Sequence, residues 1–261
     1  MAGARSIIGG LTATGLATAA IVIGTPGDLP LESGLMETAR PTASLIADAP
    51  DGDVCLSSEL SFFAAAASGC LSKERIDSMR ATPVIDNRGA AVAMELLHPS
   101  DPSKPARSVR TCADYARWSA NGWYAATSRE MRREAFFSRA CGALSYLERA
   151  GSVFQTHFDG GRLSSVDVAS LAEGASFGFM EAAAGPMNAA DARQIRAGVW
   201  RIKAEGQSAY LQELAHADFN ADGVGDILVF VAVRPDGGTA SVGDVGFLTK
   251  ETPNAPVRFR R

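Results

Sequence analysis

Apolar and polar positions change rhythm along this chain, and the change divides it in two. From Val199 onward they alternate in short runs broken by turn residues. Val199 to Ala204 alternates, and Glu205-Gly206-Gln207 is a turn. Ala209 to Ala217 and Ile227 to Val233 form the next two runs. Pro235-Asp236-Gly237-Gly238 is a further turn, and Ala240 to Thr249 a fourth run. Period-two runs punctuated by Gly, Pro and Asp predict strands. Residues 197–261 are therefore expected to form an antiparallel β-meander of about four strands.

Upstream the spacing is helical. Thr127-Ser128-Arg129-Glu130 has the form of a capping box, with Thr127 as N-cap. Behind it Met131, Phe136, Phe137, Ala140, Leu144 and Leu147 recur at helical intervals, predicting a helix to about Arg149. Thr111 opens a shorter helix carrying Cys112, Tyr115 and Trp118 and ending near Asn121-Gly122. Ser57 precedes an Ala-rich apolar run that Gly69 would end, and Ser72 to Met79 reads as another short helix. Leu163 to Glu173 and Ala189 to Arg196 are also read as helical, with Phe177, Phe179 and Met180 in the core. Ala90 to Leu97 fits either strand or helix, and Pro99, Pro102 and Pro105 enforce a loop. The expected fold class is α+β: a single domain over 54–261 whose helical N-terminal half, 54–196, packs on the C-terminal antiparallel meander.

Before Val54 the composition differs. Arg5 precedes an uncharged apolar stretch from Ile7 to Gly24, and Ala17 and Ala19 suit a cleavage site. That is the make-up of an export signal over residues 1–26. Ile21-Val22-Ile23 lengthens the stretch towards an uncleaved N-terminal anchor, the rival reading. Residues 27–53, rich in Pro, Gly, Asp and Ser, read as a flexible linker. The protein is expected to be secreted or periplasmic, with no stable membrane span once the signal is cleaved.

Four cysteines follow: Cys55, Cys70, Cys112 and Cys141. An even count in an exported chain suggests disulfides, and neighbour pairing (Cys55 with Cys70, Cys112 with Cys141) is expected among the three possible arrangements. Buried free thiols are the alternative. A formal charge of -4 and the lack of a long basic run give no nucleic-acid footprint.

One stretch carries a sharp chemical signal. Asp218-Phe219-Asn220-Ala221-Asp222-Gly223-Val224-Gly225-Asp226 spells D-x-N-x-D-G-x-x-D between two predicted strands. Calcium takes six to eight oxygens in a flexible shell. Alternate residues of a tight loop can supply them: the side chains of Asp218, Asn220 and Asp222, the carbonyl of Val224, then Asp226. Gly223 permits the sharp bend. An EF-hand would need a Glu at the twelfth place, which here is Val229. The other reading is a metal-free turn, since Asn, Asp and Gly also favour left-handed turn geometry.

This loop resembles the D-x-D-x-D-G-x-x-D loops of FG-GAP and related β-repeat proteins. Thr111-Cys112-Ala113-Asp114-Tyr115, Phe136-Phe137 and Cys141-Gly142-Ala143-Leu144, taken with Leu211 through Val229, resemble a set of uncharacterised exported bacterial proteins with a C-terminal strand pair of this kind. The resemblance implies no specific function. The chain departs from that pattern at Ala221, often Gly, and at Gly225, often acidic.

No G-x-S-x-G, H-E-x-x-H or Walker sequence occurs, and His98, His157 and His216 are far apart. Glu130, Arg132, Arg133, Glu134 and Arg139 are read as a solvated helix face, with a polar ligand groove as the alternative. Trp118, Trp123 and Tyr124 are read as core packing, with sugar stacking as the alternative. The expectation is a non-enzymatic secreted or periplasmic protein with one structural Ca2+ loop. The alternatives are a cell-envelope hydrolase acting on glycan or peptide, and a module that binds another cell-envelope protein.

Overall fold

The structure, a computed structural model, describes residues 53–86, 88–101, 103–174, 192–204, 206–237 and 242–261. The expected signal at 1–26, nearly all of the linker, and Phe177, Phe179 and Met180 lie outside these residues.

Strand β8, Gln207–Ala217, is buried at all eleven positions. It reaches that state by pairing on both sides. Strand β9, Val224–Pro235, runs antiparallel along one edge. The other edge is shared: β7, Val199–Ala204, takes Gln207 to Gln212, and β1, Val54–Leu56, takes Ala215 and His216. The register shifts between Glu213 and Ala215, where β7 gives way to β1. β1 continues to β2, Cys70–Leu71, and β9 continues to β10, Val242–Thr249, and β11, Arg258–Arg260. A hairpin of β3, Met94–Leu96, and β4, Arg107–Val109, stands apart. Two-residue β5, Gln155–Thr156, runs parallel to the start of β9, and β6, Ala192–Arg196, pairs with β7. Among the described residues the main sheet has nine strands.

Helix α1 spans Lys73–Ser78, α2 Cys112–Ser119, α3 Ser128–Arg149 and α4 Ser165–Gly174. They cover the sheet from two sides, which is why β9 is a continuous apolar run. Its Leu228 points into one core with Leu214, Val245 and the Phe137, Ala140 and Leu144 face of α3. Ile227, Val229, Val231 and Val233 point into the other, with Trp200, Ile202, Leu211, Phe158 and the Val168 and Leu171 face of α4. Buried Asp167 holds α4 in place by accepting from the Ser164 hydroxyl at 2.7 Å and pairing with Lys250 at 2.8 Å.

The helical N-terminal half is not found. Among the described residues the protein is mostly β, with 38% strand against 27% helix. The run after Ser57 folds back on itself through a Leu60–Ala67 bridge, and Phe63 bridges to Val84. The cause is the disulfide joining Cys55 and Cys70, whose Cα atoms are 3.9 Å apart. A helix rises ~1.5 Å per residue and would hold these positions roughly 20 Å apart. Residues 192–196, expected helical, are strand β6, turned onto β7 at Gly198 with a φ of 67°. Both expected disulfides, Cys55–Cys70 and Cys112–Cys141, form. Helices α1, α2 and α3 start on the expected caps: Ser72, Thr111 and Thr127 accept from Arg75, Asp114 and Glu130 amides.

The α3 charges are not one solvated face. Glu130 is buried and accepts the Glu95 amide of β3 at 3.0 Å, while pairing with Arg129 and Arg133. Only half of the capping box is therefore made, and Glu130 ties α3 to the β3–β4 hairpin instead. Trp118 and Trp123 pack together at 5.3 Å with Arg107 over both rings, and Trp123 is in the core. Glu130→Ala is expected to cost about 1–3 kcal/mol in denaturant unfolding, because it strands a part-buried amide and removes the hairpin's tie. Arg132→Ala, on the exposed side of the same helix, should change stability little.

Candidate functional site: an acidic loop under a strap

The central hairpin closes with the Ala217–Asp226 pair; residues 218–223 form its loop, and Val224 and Gly225 already belong to β9. Asp218 organises it. Its Oδ1 accepts the amides of Asn220, Ala221 and Asp222 at 3.2, 2.7 and 3.3 Å, and its Oδ2 accepts that of Gly223 at 2.8 Å. Such stacked amide contacts force a tight coil, and Ala221 and Gly223 adopt φ of 64° and 80° to complete it. Asn220 Oδ1 accepts the Asp222 amide, Asp222 Oδ1 the Val224 amide, and Asn220 Nδ2 donates to Asp222 Oδ2. Asn220 and Asp222 form the exposed rim, whereas Asp218 and Asp226 are buried.

A strap that the sequence did not reveal covers the loop's base. After α3 the chain bridges Gly151 to Asp218 with amide–carbonyl bonds of 2.7 and 3.3 Å in the two directions. The Phe154 amide donates to the Gly223 carbonyl at 3.1 Å, and Gln155 and Thr156 then pair with Val224 and Gly225. Its Gly151 was legible only as a helix stop, because a pairing between residues more than sixty apart leaves no local pattern.

Asp226 is fully buried. Its Oδ2 accepts the Phe219 amide at 3.1 Å, but its Oδ1 has no hydrogen-bond partner. Burial pushes its carboxyl up to about 7, and the charges of Asp222 and Asp218 push the same way against the Phe219 amide and the Thr249 hydroxyl. His216 sits beside the strap, its Nε2 3.3 Å from the Thr156 hydroxyl, and burial pulls its imidazole down to about 4. That ring explains Gly225. A Cβ there would stand 2.5 Å from His216 Nε2 and 2.9 Å from Val153. No acidic side chain fits at that position.

The five expected ligands thus occupy one loop, with Asp218, Asn220 and Asp222 bonded to one another and Asp226 tied to its start. Among the described residues, no group of three or more His, Cys, Asp and Glu side chains is disposed to hold a metal ion. The donor chemistry is nonetheless all hard oxygen, and Asp226 Oδ1 is a buried acceptor that makes no hydrogen bond. No family model matches the chain, and no curated protein or solved structure matches it.

Gly225→Ala is expected to destabilise the protein by about 1–3 kcal/mol, the usual cost of overpacking. The pH dependence at this site has two opposed parts. Asp226 is raised, so in chelator it stabilises below the unfolded carboxylate range and that contribution is lost as pH climbs through 7. His216 is depressed, so its contribution is present above the unfolded imidazole range and lost as pH falls towards 4. In chelator, Asp226→Asn should therefore become more stable relative to wild type as pH rises from about 4 to about 7, by up to a few kcal/mol, and the difference should level off above that. A difference that stays constant across that window contradicts a desolvated Asp226.

Proposed function

We propose that residues 218–226 bind one calcium ion and that the ion's role is structural. Asp218, Asn220 and Asp222 would contribute side-chain oxygens, Val224 its carbonyl, and Asp226 its free carboxylate oxygen. The observation that carries this reading is Asp226 Oδ1, a buried carboxylate oxygen that makes no hydrogen bond, beside a loop that also holds Asp218 and Asp222. Leaving a carboxylate so placed is costly unless it is protonated or meets a cation. A bound cation would supply charge compensation there. The loop's ties to the strap would then transmit that order to α3, β8 and β9 together.

The two disulfides suggest an oxidising, extracellular environment. Among the described residues no helix is long and apolar enough to cross a membrane. Calcium is abundant outside cells, so a loop of modest affinity suffices there. The proposal is of a non-enzymatic exported protein whose central hairpin calcium stabilises.

The test is thermal unfolding of the disulfide-intact protein in millimolar calcium and in chelator. Calcium should raise Tm by several degrees in the wild type, and Asp222→Ala, at the exposed rim, should abolish the rise while leaving Tm in chelator close to wild type. Identical melting in calcium and chelator would refute the proposal.

A further inference from the structure

At the other end of the central strand the sheet carries the opposite charge. Directly paired residues in an antiparallel sheet share a face. Arg193 opposes Arg201, which opposes Tyr210, which opposes Ala232 and then Gly243. The next row outward is Lys203, Ser208 and Arg234. The next row inward runs from Val199 through Gln212 and Phe230 to Val245. No Asp or Glu occupies any of these positions, in a chain whose formal charge is -4.

Helix α3 adds one more cation to this face. The Arg139 guanidinium lies 5.3 Å from the Phe230 ring centroid and 5.4 Å from that of Phe62. Burial pulls it down to about 10. Phe230 and Arg201 are two strand spacings and one row apart, roughly 12 Å between backbone positions, a gap that two long arginine side chains reaching towards one ion can span.

Three features of this face are unfavourable as they stand. Arg193 and Arg201 are like charges directly across a strand pair, which destabilises a sheet. The Nε atoms of Arg139 and Arg201 are buried without a hydrogen-bond partner. Among the described residues no ion pair neutralises Arg139, Arg193 or Arg201, whereas Arg196 and Arg234 nearby have partners of their own. The polar side chains packed into the same face, Ser208, Tyr210 and Gln212, are neutral groups that can donate. One multivalent oxyanion would relieve all three: it separates the paired charges, accepts from the orphaned Nε atoms and meets the planar guanidinium edges two bonds at a time.

We propose that Arg139, Arg193 and Arg201 form a binding site for a phosphate-class oxyanion on this face of the sheet. The site lies apart from residues 218–226 and does not depend on calcium there. A tetrahedral dianion suits it better than a single carboxylate, because donors approach from two strands and a helix and need acceptors in more than one plane.

The test is calorimetric titration of the disulfide-intact protein, in chelator and at constant ionic strength set with chloride. The probes are inorganic phosphate and glycerol 3-phosphate. Saturable one-to-one binding of either is expected. Tighter binding of glycerol 3-phosphate would assign the site to phosphate esters, and tighter binding of inorganic phosphate to the free ion. Arg193→Gln, at an exposed position where folding should persist, is expected to weaken binding at least tenfold, and Arg201→Gln at least as much. Arg258→Gln, in the basic tail, should leave binding unchanged. No saturable heat with either probe, or equal weakening by Arg193→Gln and Arg258→Gln, would overturn the proposal.

Discussion

The structure depends on the complete burial of strand β8. A strand with both edges paired and both faces covered leaves no slack in register, because a slip of one residue would exchange its two cores. Here one edge needs two partners, β7 and then β1, and the change of partner falls at the shift between Glu213 and Ala215. The Ser58 hydroxyl secures the junction by donating to the Glu213 carbonyl at 2.9 Å, and the Ser57 amide donates to that of Leu214. The acidic loop inherits this order. Asp218 and Asp226 sit where a rigid hairpin ends, and both are buried there, Asp218 under its own loop's amides and the strap.

The two charged regions lie at opposite ends of the same strand. At the Ala217 end, acids crowd a loop that is satisfied by backbone amides except at Asp226 Oδ1. At the Gln207 end, arginines crowd a face on which, among the described residues, the paired strand positions carry no acid. Each is a local departure from the rule that buried polar groups find partners, within a protein whose two cores and two disulfides otherwise account for its stability. The disulfides act on different parts: Cys55–Cys70 closes the β1–β2 pair at the sheet edge, and Cys112–Cys141 pins α2 to α3.

What the sequence disclosed was local, and what it hid was distant. Thr127 and Arg149 bound α3 because an N-cap hydroxyl and helical spacing act within a few residues. The strand runs after Val199 were equally plain. Helix propensity misled at 57–69, where alanines favour a helix but the Cys55–Cys70 bond forbids one. The two expectations were incompatible on helix rise alone, and the covalent constraint prevailed. Glu130 looked like a capping partner and a surface charge because its true partner, the Glu95 amide, is thirty-five residues away. The loop residues were legible from spacing, but the Gly151–Thr156 strap was not, and neither was the His216 ring that bars a side chain at 225. Glycine there marked close packing, not a missing ligand.

The proposed calcium site stands or falls on Asp226, the buried carboxylate at the end of the main hairpin. Calcium titration by calorimetry, on disulfide-intact protein stripped with chelator, addresses it most directly. One saturable site per chain is expected, lost in Asp226→Asn although that variant remains folded. Absence of any saturable heat, or an unchanged site in the variant, would contradict it.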